Sequence, residues 1–283
     1  MNTLNAALLK LTSLILAPFA SLPAQVALIV ISALAGILAA IAFRYTSPQT
    51  RLKRVADEVR ASLLAIRLFR DDLRAVFAAQ GMLFKASALR LIYSLPPLIV
   101  LIVPFVLLLA QLAMWYEFKP LTPGQYVLLE VQVRPDAWET YQNLELAGLP
   151  DVIADGPVRD AASHTLTWRL TPHDRPEEVS QLELIFLLGD REVARKQLVI
   201  SPDDATDRLL FVSPRRPGPS LEDRLLYPGE PAFDSANPVQ TINIRYAART
   251  NTLFGHPVHW LVTFFVVSIL GAFAVKPIIK VQF

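Results

Sequence analysis

The sequence predicts an α+β membrane protein: three transmembrane helices, a cytoplasmic amphipathic helical segment and an extracytoplasmic β-sandwich-like domain. Three observations carry that prediction. The 283 residues are 53% hydrophobic and only 18% charged, with a mean hydropathy of +0.39, against the roughly 25% charge of an ordinary soluble chain. Three long uncharged runs each approach the length that crosses about 30 Å of hydrocarbon. Between the second and third runs the pattern changes to short β-rich stretches set off by Pro, Asp and Gly, two of which, Thr165 to Leu170 and Thr241 to Tyr246, alternate apolar with polar residues. With 22 prolines and 10 glycines, collagen-like and generally disordered classes are excluded. The absence of cysteine removes disulfides, thiolate metal sites, cysteine nucleophiles and iron–sulfur clusters.

Residues 1–23 carry Lys10, an apolar run from Leu11 to Leu22 and the sequence Leu22-Pro23-Ala24, which together resemble a signal peptide. The run leads directly into a full-length span, so the segment is expected to stay uncleaved as an apolar interfacial or re-entrant element ending near Pro18. Residues 24–43 are uncharged and form the first span. Residues 91–116 form the second, an uncharged stretch from Leu91 to Met114 closed by the interfacial aromatics Trp115 and Tyr116. Residues 256–283 hold the third span and a short tail, with Trp260 to Val275 apolar and Pro257, Val258, Ile278 and Ile279 extending the run.

Charge orients these spans. The segment 44–90 holds ten Lys or Arg against four acids, whereas 121–255 holds 20 acids against 13 bases. The positive-inside rule then places 44–90 in the cytoplasm and the large intervening domain outside, with Lys276 and Lys280 at the cytoplasmic end of the third span. The expected location is the inner (cytoplasmic) membrane, multi-pass, N-terminus outside and C-terminus in the cytoplasm.

Within 44–90, apolar residues at Leu52, Val55, Val59, Leu63, Ile66, Leu73 and Val76 recur at helical spacing after Ser47-Pro48. A single helix from 49 to about 80 would run roughly 48 Å, while the return leg 82–90 reaches about 30 Å fully extended. The segment therefore either lies along the membrane surface or turns back as a hairpin. Arg60, Arg67, Arg70 and Arg74 are candidate polyanion-binding residues, suited to anionic headgroups or to ribosomal RNA.

From 117 to 255 the expected strands are Tyr126 to Val133, His164 to Leu170, Leu182 to Leu188, Val193 to Ile200 and Thr241 to Tyr246, with Gly189-Asp190-Arg191 as a hairpin connection. Short strands with turn signals between them predict a small sandwich of the immunoglobulin-like kind. The proline-rich stretch Ser213 to Pro238 reads as a contact loop or a linker. No catalytic residue, cofactor or metal site is expected. His256 and His259 are split by Pro257, Glu177-Glu178 and Asp203-Asp204 are adjacent pairs, and no phosphate loop, serine elbow or HExxH motif occurs.

In the second span, Pro97 and Pro104 leave the carbonyls of Tyr93 and Val100 without helical donors, so a kink is expected. Pro96, Pro97, Pro104 and Gln111 are candidate client-contact or helix-packing positions; Ser94, Gln111, Thr263 and Ser268 are polar groups expected to bond across helices. The stretch Leu83-Phe84-Lys85, Leu95-Pro96-Pro97-Leu98, Val103-Pro104-Phe105 resembles the entry to the second core span of Oxa1/YidC-type membrane insertases. The whole layout is similar to the three-span, EMC3/TMCO1-like branch of that superfamily, over about residues 24–118 and 256–280. Two features differ: no span here contains an arginine, and a domain of about 135 residues stands where those relatives have a short loop.

The resemblance implies a non-enzymatic, insertase-like or chaperone-like role in membrane-protein insertion or assembly. The implied partners are the lipid bilayer and, at the cytoplasmic face, nascent membrane proteins or the ribosome. The alternative is an adaptor or structural subunit of an envelope complex that binds other membrane or periplasmic proteins through its outer domain. A transporter is disfavoured, because no buried charge marks an ion path.

Overall fold

The computed structural model describes residues 22–69, 71–147, 149, 151–173, 176–202, 209–253 and 255–279, so most of segment 1–23 lies outside the described residues. Among the described residues three helices are long and apolar enough to cross a membrane: α1 (Ala24–Thr46), α3 (Leu73–Tyr116) and α6 (Trp260–Ile279). A β-sheet region lies between the last two, which makes the chain α+β. It divides into two compact units, one built on residues 28–105 and 261–279, the other on 22–27 and 106–260.

In the first unit, α1 is followed by α2 (Gln49–Leu68) and then by the first part of α3. α2 ends at Leu68 and α3 begins at Leu73, and the chain reverses between them. The reversal is written in Asp72, whose Oδ1 accepts from the backbone N–H of Arg74 at 2.9 Å and of Ala75 at 3.3 Å, an N-cap that starts α3. The segment is therefore a hairpin, and the Arg51 guanidinium lies 5.8 Å from the Tyr93 ring centroid where the two arms run side by side. Leu52, Val55 and Ser62 of α2 and Ala79 and Ala86 of α3 are buried. α3 passes Gly81 without a break and continues through Pro96, Pro97 and Pro104 for 44 residues, about 66 Å of helix.

α1 and α6 approach within backbone contact. A Cβ on Gly36 would sit 1.9 Å from the Ser268 carbonyl oxygen, and one on Gly271 would sit 2.8 Å from that of Ala33. The Ser268 hydroxyl donates to the Ser32 carbonyl at 2.9 Å. Small residues thus let two apolar helices meet closely, as packing in lipid favours. Phe105 of α3 meets Phe264 of α6 edge to face, ring centroids 6.3 Å apart.

The second unit is a two-sheet sandwich. A five-stranded antiparallel sheet has the order β3 (Val152–Asp160), β4 (Thr165–Pro172), β1 (Val127–Val133), β8 (Val239–Ile244), β7 (Arg215–Arg216). A second sheet has the order β2 (Glu145–Ala147), β5 (Ser180–Leu188), β6 (Arg191–Ile200). β1 and β4 alternate buried and open residues, so Leu129, Val131, Leu166, Trp168 and Leu170 face Leu184, Phe186, Ala194 and Leu198 of the other sheet. Trp168 and Phe186 meet edge to face at 5.8 Å. β5 and β6 join through Gly189 at φ 59°, where the reversal needs a left-handed residue. A short helix α4 (Trp138–Tyr141) follows β1, and a two-stranded ribbon of β9 (Asn251–Leu253) and β10 (His256–Val258) precedes α6.

The stretch from Ser213 to Pro238 is folded onto the sandwich. It supplies β7 and a short helix α5 (Leu221–Leu226), capped by Ser220, whose Oγ accepts from the Asp223 N–H at 3.1 Å. Arg216 lies 4.2 Å from the Phe233 ring centroid.

Candidate functional site

The predicted polyanion contacts fall along the hairpin. Arg60 is exposed two turns from the end of α2, 3.4 Å from Asp57. Arg67 is exposed in the last turn of α2 and Arg74 in the first turn of α3, so these two flank the hairpin tip. Arg70 lies outside the described residues. The pairs Arg60–Asp57 and Arg54–Glu58 are exposed and contribute little. From Leu73 to Tyr116, α3 carries Arg74, Lys85 and Arg90 and no acid.

The predicted client-contact positions divide. Pro96 and Pro104 are exposed, Pro97 is buried, and all three stay within continuous helix. Ser94 donates to the Arg90 carbonyl of its own helix at 2.8 Å, whereas Ser268 bonds across helices as expected. Gln111 and Thr263 are buried. The Gln111 Oε1 has no hydrogen-bond partner among the described residues. Leu91, Ile92, Leu95, Leu98, Ile99 and Val100 of α3 are all exposed, while Ala110, Leu112 and Met114 are buried. The helix therefore passes from an open apolar half to a packed one.

Two features of the sandwich escape the sequence reading. The first is the ion pair of Lys196 and Glu230, both buried. The Lys196 Nζ also donates to the Ser213 carbonyl at 2.7 Å, and burial holds its pKa below the ordinary lysine value against the pull of Glu230. This cluster closes the outer edge of β6. The Gln197 N–H donates to Glu230 Oε2 at 3.4 Å and its carbonyl accepts from Lys196 Nζ at 3.3 Å. The Val199 N–H donates to the Tyr246 hydroxyl at 3.1 Å, and the Arg195 carbonyl accepts from Arg216 Nη1 at 2.6 Å. Burial raises the Tyr246 pKa, so its hydroxyl stays protonated.

The second is a polar cleft of about 360 Å³ between β8, the β1 end and the folded excursion, lined among others by Arg134, Arg215, Ser220, Asp223, Asn237 and Thr241. Its arginines are already engaged: Arg134 pairs with Asp136 and donates to the Ser235 carbonyl at 2.8 Å, and Arg215 lies 3.0 Å from Asp223. Near the start of α6, Glu117 accepts from the Trp260 indole and lies 3.4 Å from His259 Nε2. Among the described residues no three His, Cys, Asp or Glu are grouped to hold a metal ion. Asp203 and Asp204 lie outside the described residues.

No protein-family model matches the chain, and no curated protein or solved structure matches it. Fold and geometry define the class alone: an α+β protein with, among the described residues, three membrane-length apolar helices, a helical hairpin and a two-sheet domain.

Proposed function

We propose that this is a non-enzymatic, insertase-like or chaperone-like membrane protein that acts in the insertion or assembly of other membrane proteins. One observation carries the reading: the second arm of a basic hairpin is continuous with an apolar helix whose residues from Leu91 to Val103 are largely open. A charged approach and an apolar receiving surface on one rigid element suit a client that moves from water into lipid. In this reading 44–90 is cytoplasmic and 121–255 external, in the inner membrane, with the charge asymmetry of 44–90 and 121–255 as its support. The Oxa1/YidC-type layout belongs to the same proposal.

The test is at the hairpin. Replacing Arg60, Arg67, Arg70 and Arg74 with Gln keeps helix propensity and is expected to weaken association of the full chain with ribosomes or anionic vesicles. The salt dependence should become shallower as contacts are lost. Unchanged association of both at low salt, with orientation preserved, would remove the reading. Orientation is checked by an impermeant thiol reagent on cysteines at Ala61 and Ala162, both exposed; only the second should react in intact cells.

A second reading, an adaptor in an envelope complex, rests on the polar cleft of the sandwich. It is favoured if the Arg variant is neutral and Asn237→Trp, which fills the cleft, abolishes assembly.

A further inference from the structure

Large apolar residues recur every seven positions along α3 at Phe77, Phe84, Leu91 and Leu98, exposed by 68%, 78%, 67% and 53%. A seven-residue spacing keeps these four side chains on one slowly drifting stripe of the helix, a seam of a single row rather than the paired rows of a full coiled coil, and a second helix that follows the stripe crosses in the left-handed sense. Lipid accounts for Leu91 and Leu98. It does not account for Phe77, which stands 14 residues before Leu91 in sequence, about 21 Å further along the helix. The α2 arm does not cover it either, because α3 turns Ala79 and Ala86 inward and leaves Phe77 and Phe84 open. The seam therefore begins in water and runs into the span without interruption.

Charge selects the occupant. Beside the seam α3 carries the exposed Arg74 and Lys85, and from Leu73 to Tyr116 it holds no acid. A second copy packed in parallel register would set these cations against their equivalents, which disfavours self-pairing. We infer that the seam docks a helix of another membrane protein, apolar where it crosses the bilayer and acidic over the turns next to the cytoplasmic interface. The inference rests on the insertion-or-assembly reading and names the chemistry of its partner.

The probe is a pair of single-span peptides with the same apolar core, one with a Glu-rich and one with a Lys-rich cytoplasmic flank. Each is reconstituted with the full chain in neutral phosphatidylcholine vesicles, and association is read by energy transfer. The Glu-flanked peptide is expected to associate at least tenfold more tightly than the Lys-flanked one. Phe77→Ala/Phe84→Ala should abolish the association and Phe77→Leu/Phe84→Leu should restore it, while Arg74→Gln/Lys85→Gln should reduce the discrimination between flanks. Both phenylalanines are exposed, so the variants keep the fold, checked by circular dichroism. Equal association of both peptides, association of neither, or energy transfer between copies of the chain alone would overturn the inference. Ribosome and vesicle association of the Phe77/Phe84 variant should be unchanged, so failure at the seam is distinguishable from failure at the arginines.

Discussion

The sandwich and the hairpin treat open surface in opposite ways. At β6 the sandwich has a ten-residue edge strand, and it satisfies the outward carbonyls and N–H groups with Tyr246, Glu230, Lys196 and Arg216. Unpaired edges invite another strand, and burying side chains against one is a way to prevent it. Along α3, by contrast, bulky apolar side chains from Leu73 to Val106 stay open at one position after another. The β6 edge is covered within its own chain; the apolar side of α3 is not. The difference teaches that α3 leaves a long apolar surface open, whereas the β6 edge is closed by its own side chains; among the open apolar residues of the sandwich, Tyr126, Ile153 and Val158 lie before β1 and on the edge strand β3.

The largest expected effect breaks the finished region. Glu230→Ala leaves the Lys196 ammonium buried with carbonyl partners only, and losing one member of a buried pair costs about 3–5 kcal/mol. The thermal midpoint of tryptophan fluorescence in the full chain should fall by many degrees, and the opened β6 edge should promote aggregation. Lys196→Met with Glu230→Leu should recover most of the loss, since apolar replacement of a buried pair is often neutral or better. A Glu230→Ala protein of unchanged midpoint would show that the edge is held by other bonds.

How much of this was legible depends on which signal each element rests on. Short β-rich runs between Pro, Asp and Gly identified β1, β4, β5, β6 and β8, and alternation of apolar with polar residues marked β4 and β8; in β4 the inward residues do repeat with period two. β3 was missed because Val152–Asp160 contains Asp155-Gly156-Pro157, which reads as a turn. In the structure it is an irregularity where the register between Asp155 and Val158 shifts against β4. Lys196 had a signal that periodicity alone could have found: it takes the inward position between Ala194 and Leu198. Glu230 had none, since it comes from a proline-rich stretch 34 residues away. The hairpin turn was also written locally, in Asp72, but without Gly or Pro beside it the cap competes with an unbroken apolar period.

That cap carries the intermediate prediction. Asp72→Ala removes the acceptor for the Arg74 and Ala75 N–H groups and should cost about 1 kcal/mol, confined to the hairpin tip. Amide exchange at 73–76 should accelerate while the sandwich core is unchanged. If exchange also rises in β1 and β4, the hairpin and the sandwich are one cooperative system and the contrast between them is too sharply drawn.

The smallest expected effect on stability is the most telling about function. Truncating a buried phenylalanine such as Phe186 costs about 3–5 kcal/mol through lost transfer energy and a cavity. Phe84→Ala is the same chemical change at a side chain 78% exposed, so stability should shift by less than about 0.5 kcal/mol. A helix interior even gains slightly in propensity from alanine. If Phe84 adds no stability to the isolated chain, the proposed seam assigns its open apolar surface to a bound helix. The measurement is the thermal midpoint of Phe84→Ala alone and with the Glu-flanked peptide bound: the free proteins should coincide, and only the wild-type chain should gain stability with peptide, by the mass action of a ligand that binds the native state. A Phe84→Ala chain that loses several degrees without any partner would place Phe84 in the fold of the hairpin itself, and the open half of α3 would then be smaller than its exposure implies.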